Sequence, residues 1–281
     1  MANAARALST VRVNRDQLEF VQGQIAFARR TSDEKAPEVH LPRYQMPMVS
    51  YDVTIRNARP IVGELSLDRE GFTLVQHKAA CLNEADSEVL CAQYLKEMIP
   101  FIKSCFNASR VVARRESVIV RSAGENSTPG VRGPGGMAHI DYAPLDCPVL
   151  AARENQLQGI PIEPYSRLLL IQAWRALSPS PQDFPLALCD NNSLLETDVM
   201  VHDYTSDVGS KFNSCVLHYN PLERWYYFPD MSPSDLILFK GYDSDENSNA
   251  RAAHAAFDNR RADPDAKQRR SIEARFFVYF D

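Results

Sequence analysis

The stretch Met137-Ala138-His139-Ile140-Asp141-Tyr142-Ala143 decides how the rest of the chain is read. Residues i and i+2 of a β-strand project to one side. His139 and Asp141 therefore share a face, and Ile140 turns the other way into packing. A third ligand has to arrive from another strand, and His254, in Ala252-Ala253-His254-Ala255-Ala256, is the candidate. Two imidazoles and a carboxylate make one face of an octahedral site, the 2-His-1-carboxylate arrangement of non-haem Fe(II) oxygenases. They leave three positions open for a co-substrate and O2. An H-x-D pair alone recurs by chance, so its surroundings give the pattern its weight. The rival histidines fit less well. His202 in Val201-His202-Asp203 has its carboxylate neighbour on the opposite strand face, and His218 has no carboxylate at i+2. His40 and His77 read as ordinary, partly buried histidines.

Downstream of His254 a polar, Asp-Pro-rich loop leads to Arg269-Arg270-Ser271, at the start of what reads as the last strand. Arg269 and Ser271 share a face there. A guanidinium offers a planar fork to a carboxylate, and a serine hydroxyl adds a donor. The pair is the candidate anchor for the far carboxylate of 2-oxoglutarate. The bland alternative is a solvated basic run with Lys267 and Arg270. Gln172 and Trp174, at i and i+2 in RLLLIQAWRAL (167–177), can both face a cavity and line the co-substrate, although Trp174 fits core packing equally well. Arg121, Tyr142 and Arg175 are candidate substrate contacts, Arg175 only if its strand is bulged.

The chain has 281 residues and a formal net charge of −5. That length suits one all-β domain with added helices, and the charge, with no basic stripe, argues against nucleic acid. No apolar run approaches the length of a membrane span. The first residues, MANAARALSTVRVNRDQ, show no apolar h-region and so no secretory signal. The six cysteines have no C-x-x-C pair and read as buried free thiols. A cytoplasmic location follows, with no nucleic-acid or membrane partner. Nothing in the pattern decides oligomeric state, so a homo-oligomer stays open.

Residues 1–45 are mixed and polar and read as a lead-in arm, partly helical, before one domain over 46–281. VSYDVTIRN (49–57) and GFTLVQH (71–77) read as strands. Residues 84–106 carry apolar positions at helical spacing, with Pro100 expected to bend or break the segment. SRVVARRESVIVRS is one or two strands. The Gly/Pro/Ser/Asn-rich loop AGENSTPGVRGPGG, running straight into the metal motif, is the candidate mobile lid. A helix followed by many short strands reads as mainly β with helical support, a double-stranded β-helix of the jelly-roll, cupin-like kind.

Segments spread over most of the chain carry a family resemblance. They are YDVTIRN, DREGFTLVQH, AHIDYAP, QAWRALSPSPQDFPLALCD, RWYYFPDMSPSDLILFKGYDSD and HAAFDN…RRSIEARFFVYF. In this order they resemble the fungal and bacterial hydroxylase/desaturase family, which includes gibberellin desaturase-like proteins and relatives of the cephalosporin methoxylation protein. The resemblance implies a jelly-roll Fe(II) dioxygenase with 2-oxoglutarate and O2 as co-substrates, hydroxylating, desaturating or cyclising a small natural product. It puts the metal ligands on His139, Asp141 and His254, and the anchor on Arg269 with Ser271. Two departures concern substrate choice and closure. Trp174-Arg175-Ala176 stands where relatives tend to have Trp-Arg-Pro, and Arg269-Arg270-Ser271 where they tend to have Arg-Glu-Ser. A 2-oxoglutarate-independent iron oxidase and a catalytically silent binding protein of the same fold are the alternatives.

Overall fold

The computed structural model describes residues 13–30, 46–124, 132–206, 209–248 and 250–281. Among these the strands are β1 (Phe20–Ala28), β2 (Met48–Asn57), β3 (Phe72–Gln76), β4 (Arg110–Ala113), β5 (Ile119–Ser122), β6 (His139–Ile140) and β7 (Arg167–Ala176). They continue with β8 (Leu186–Cys189), β9 (Val199–Thr205), β10 (Lys211–Leu217), β11 (Trp225–Tyr227), β12 (Asp235–Asp243), β13 (His254–Ala256) and β14 (Arg270–Phe280). The helices are α1 (Ser87–Phe106) and α2 (Cys147–Leu157). An eight-stranded sheet runs β1-β2-β11-β8-β13-β6-β10-β9. A six-stranded sheet runs β3-β12-β7-β14-β4, with β5 also paired to β14. The two sheets form the expected double-stranded β-helix, and the site lies between them.

Side-chain alternation sets which residues face that interior. Along β7, Leu170, Gln172 and Trp174 share the inner face, whereas Leu169, Ile171 and Ala173 face outward into a core shared with α1. α1 presents Leu90, Tyr94, Met98 and Ile102, spaced four apart, to that outer face. Asp86 caps it by accepting from the amides of Glu88 and Val89. The helix continues through Pro100 as a single element, where a break was one expectation. Its buried stripe of four large side chains holds it there. α2 packs Cys147, Leu150 and Ala151 on Leu168, Leu170, Phe277 and Tyr279, closing one end of the sandwich. No signal pointed to α2 in the sequence, where Cys147-Pro148-Val149-Leu150 gives little helical periodicity.

The lead-in reading of residues 1–45 needs correction. Phe20–Ala28 is a strand of the eight-stranded sheet, paired along its whole length with β2. The run Gly23, Ile25, Phe27 alternates inward, and Gly23 permits close packing, since a Cβ there would meet a Phe257 ring carbon at 2.5 Å. SRVVARRESVIVRS forms two strands, β4 and β5, split by a short turn at Arg115–Ser117. Of the candidate lid, residues 125–131 lie outside the described residues, as does His40. No helix among the described residues is long and apolar enough to cross a membrane.

Candidate metal centre

β6 and β13 are neighbours in the eight-stranded sheet, and His139 and His254 are direct cross-strand partners. Their rings lie 4.3 Å apart between centroids. Asp141 follows immediately after β6, in a bend, and its Oδ1 is 3.3 Å from His139 Nε2. Ligand atoms of all three residues lie within 4.8 Å of one another. Ile140 turns away into a fully buried cluster with Ala187, Ala255 and Phe257, as the alternation required.

Both imidazoles are oriented through Nδ1. His139 Nδ1 lies 2.7 Å from the Met137 carbonyl, and His254 Nδ1 lies 3.1 Å from the Ala252 carbonyl. Those contacts require Nδ1–H as donor and leave Nε2 with its lone pair free for a metal. Burial and the neighbouring His139 push His254 down to about 3, so it is a neutral imidazole at physiological pH. Burial alone would raise the Asp141 carboxyl, but Arg275, and then the two histidines, hold it well below the usual carboxylate range. Two imidazoles and one carboxylate ionised in place are the donor set that Fe(II) accepts.

Facing this trio is the inner side of β14. Arg269, Ser271, Glu273 and Arg275 alternate with Ile272, Ala274 and Phe276, which pack outward. Arg269 is almost fully buried. Its Nη1 donates to the Phe184 carbonyl at 2.7 Å, its guanidinium lies 5.7 Å over the Trp174 ring, and its Nε has no partner among the described residues. No carboxylate there comes within ion-pair distance of it. Burial, then the charge of Arg121, lowers it to about 10. Arg269, Trp174, His139 and His254 line one inner pocket of about 290 Å³. A buried cation with a free donor beside two imidazoles fits a carboxylate ligand. The solvated-run alternative does not hold for Arg269; Arg270, on the other face, is only partly buried.

The remaining sequence candidates divide. Ser271 is buried on the Arg269 face with its hydroxyl unpartnered, yet it does not line that pocket. Gln172 does not line it either. It lies two residues along β7 from Trp174, roughly 6–7 Å away, opposite Arg275, and both its amide atoms are unpartnered. Arg121 lines both that pocket and, with Tyr142, an outer cavity that opens onto His139 and Asp141. Arg175 as a substrate contact is a correction. β7 and β14 stay in unbroken register there, so Arg175 shares the outer face with Ile272. It sits under α1, donating to the His77 and Pro233 carbonyls and lying over the Tyr94 ring. His202 and His218 each contact a backbone carbonyl away from the site.

Sequence reasoning missed Glu273 and Arg275. Arg275 donates Nε to Asp141 Oδ2 at 2.7 Å, and Glu273 accepts from both Arg121 and Arg275. The signal was the alternation itself: the face that holds Arg269 and Ser271 continues to 273 and 275. Arg114 was missed too; it donates to the Tyr142 hydroxyl at 2.6 Å in the cavity wall.

A family model described as "Oxidoreductase/YMDC permease-like domain" matches residues 21–279. The hydroxylase/desaturase efuI of Hormonema carpetanum is 29% identical over 253 residues, 82% of this chain and 83% of that protein. The alpha-ketoglutarate-dependent dioxygenase tstK of Talaromyces stipitatus is 26% identical over 237 residues, 81% of this chain and 84% of that protein. Among solved structures, the iron and alpha-ketoglutarate-dependent endoperoxidase NvfI aligns with a TM-score of 0.75 at 22% identity. It covers 93% of this chain and 98% of its own, a likeness of fold.

Proposed function

The chain belongs to the oxidoreductase/YMDC permease-like domain family, and from that premise we propose that it is an Fe(II)- and 2-oxoglutarate-dependent dioxygenase of secondary metabolism. The observation that carries the proposal is the placement of Arg269. A buried guanidinium with no carboxylate at ion-pair distance among the described residues lines a pocket with His139 and His254. Relatives whose printed names are hydroxylase/desaturase and alpha-ketoglutarate-dependent dioxygenase match four fifths of the chain.

His139, Asp141 and His254 would hold the iron through Nε2, a carboxylate oxygen and Nε2. Bound Fe(II) with 2-oxoglutarate and O2 supplies the oxidising power for attack on a C–H bond. Arg269 pairs with the far carboxylate of the co-substrate, and Trp174 forms the wall against which that arginine is held. The carbonyls of Met137 and Ala252 orient the two imidazoles through Nδ1. Tyr142, Tyr204 and Phe212 wall the outer cavity with aromatic surface, and Arg114 and Arg121 add polar donors. A small natural product would bind against this wall, beside His139 and Asp141. The wall orients the substrate carbon toward the His139–Asp141 side of the centre and excludes water. Hydroxylation, desaturation, cyclisation and peroxide formation are all open to such a centre. The cysteines among the described residues are free thiols, which agrees with a reducing, cytoplasmic setting.

The test is anaerobic Fe(II) titration with and without 2-oxoglutarate, following the weak visible charge-transfer band. The band is expected with the natural sequence, absent in His139→Ala, and weakened or lost in Arg269→Ala. Iron binding without the band would move the assignment to a 2-oxoglutarate-independent iron oxidase. Absence of iron binding would overturn the centre altogether.

A further inference from the structure

We propose that Arg275 is a positioning residue for the metal: it grips one oxygen of Asp141, presents the other to the ion, and is itself held by Glu273 and Arg121. This rests on the metal-centre reading above and goes beyond it, because it assigns a role to three residues outside the ligand set.

The argument begins with how weakly the backbone supports Asp141. β6 is two residues long, and Asp141 falls beyond it in a bend. His139 and His254 each have a carbonyl holding Nδ1; Asp141 has Arg275 instead. Arg275 Nε and Nη2 reach Asp141 Oδ2 at 2.7 and 2.6 Å, while Oδ1 faces His139 Nε2 at 3.3 Å. The two carboxylate oxygens are thus divided between the guanidinium and the ligand cluster. An oxygen tied to two guanidinium nitrogens is a poor second donor, so Oδ1 is the oxygen Asp141 would offer to an ion.

Arg275 can hold that position because it is itself fully engaged. Its Nη1 donates to the Ser117 carbonyl at 3.0 Å and its Nη2 to Glu273 Oε1 at 3.1 Å. Its backbone lies within β14, paired with Gln172 on β7, and the residue is 5% exposed. The same Glu273 Oε1 also accepts from Arg121 Nη2 at 2.9 Å. Arg121 Nη1 donates to the Gly133 carbonyl at 2.9 Å, at the edge of the outer cavity. A chain of alternating charge, Arg121–Glu273–Arg275–Asp141, therefore runs from the cavity mouth to the metal ligand. Removing one member of such an outer shell weakens metal binding roughly 10–100-fold in other metalloproteins.

The experiment is Co(II) titration of the natural protein, Arg275→Gln, Arg275→Lys and Glu273→Gln, reading dissociation constant and visible absorption together. Arg275→Gln is expected to weaken Co(II) binding roughly 10–100-fold and to change the absorption intensity, which reports coordination number. Arg275→Lys keeps the charge but offers a compact point donor, and is expected to fall between the two. Glu273→Gln leaves Arg275 on Asp141 and should weaken binding less. A folded Arg275→Gln with natural affinity and spectrum overturns the proposal. If that variant does not fold, natural affinity and spectrum in Arg275→Lys overturn it. Failure of the natural protein to bind Co(II) or Fe(II) removes the metal centre itself, an outcome distinct from natural binding that Arg275 does not influence.

Discussion

Two buried arginines six residues apart, Arg275 on β14 and Arg269 immediately before it, live in opposite electrostatic surroundings. Arg275 meets Asp141 and Glu273 at ion-pair distance. Arg269 meets a carbonyl and an indole face. Burial tends to lower both. For Arg275 the two carboxylates outweigh it and raise the guanidinium above its ordinary value, whereas Arg269 falls to about 10. One end of the strand uses its cation to organise the protein. The other presents a cation whose natural complement is an anion from outside. A buried charge without a counter-charge costs stability and persists where binding uses it.

The sharpest way to break this comparison is to replace each arginine by methionine and measure urea unfolding without ligands. Arg275→Met leaves the partly buried Asp141 without its arginine, and Glu273 with Arg121 alone, and is expected to cost about 3–5 kcal/mol. Arg269→Met removes an uncompensated cation at the expense of one hydrogen bond to Phe184, and is expected to be neutral or stabilising by about 0–2 kcal/mol. Equal losses at the two positions would sink the distinction. Adding 2-oxoglutarate to the metal-loaded protein should then raise the melting temperature of the natural protein further and leave that of metal-loaded Arg269→Met unmoved. Truncating one side of a buried charge pair costs about 2–5 kcal/mol, so co-substrate affinity should fall about 30- to 3000-fold.

Acid sharpens the Arg275 end. Burial would raise the Glu273 carboxyl, but Arg121 and Arg275 bring it down to about 2 from an ordinary 4.5. A depressed carboxylate favours the folded state fully above its unfolded value and loses that contribution as pH falls through its folded value. The stability attached to Glu273 is therefore whole above about 4.5 and lost between there and about 2. Glu273→Gln should be less stable than the natural protein at pH 7 and should show a shallower decline below pH 4.5. Parallel decline in the two proteins, followed by urea midpoints, would show that Glu273 does not carry it.

Arg175 extends the comparison to the outer face of the same sheet. It is buried, but its partners are the His77 and Pro233 carbonyls and the Tyr94 ring. Arg175→Met should destabilise by about 1–3 kcal/mol through carbonyls left unpaired under α1. Substrate KM and metal affinity should not move. A rise in substrate KM with unchanged stability would return Arg175 to the site.

How much of this was legible in the sequence depends on the kind of pattern. The His139-x-Asp141 pair and the Arg269-x-Ser271 pair were readable because strand alternation is local, and His254 because it was the one remaining histidine in a small-residue strand context. The parity of Arg175 was readable for the same reason, and only a bulge that β7 does not contain would have overturned it. Gln172 was misplaced because alternation gives the face and not the depth. It shares the face of Trp174 yet lies away from the Arg269 pocket. β1 was lost in a polar lead-in, since its burial depends on β2 and on Phe257, far along the chain. Glu273 and Arg275 were in plain view, but their role comes from Arg121 and Asp141, partners separated from them by more than a hundred residues.

Tyr142 offers the smallest expected effect and tests the cavity wall alone. Its hydroxyl accepts from Arg114 Nη1 at 2.6 Å, while Arg114 also lies 5.2 Å over the Tyr142 ring and 4.8 Å over Phe212. Tyr142→Phe keeps both ring contacts and removes only the acceptor. Because the pair lines the open outer cavity, water can replace the lost hydroxyl. The cost to stability should be about 0.5–1.5 kcal/mol, as for an ordinary hydrogen bond. Co(II) affinity and spectrum should stay natural, since neither residue touches the ligand carboxylate. Substrate KM should rise, by about fivefold if the full ~1 kcal/mol is felt in binding. A change in the Co(II) spectrum instead would mean that the wall and the Asp141 grip are one unit, and would erase the distinction between the outer cavity and the Arg275–Asp141 pair.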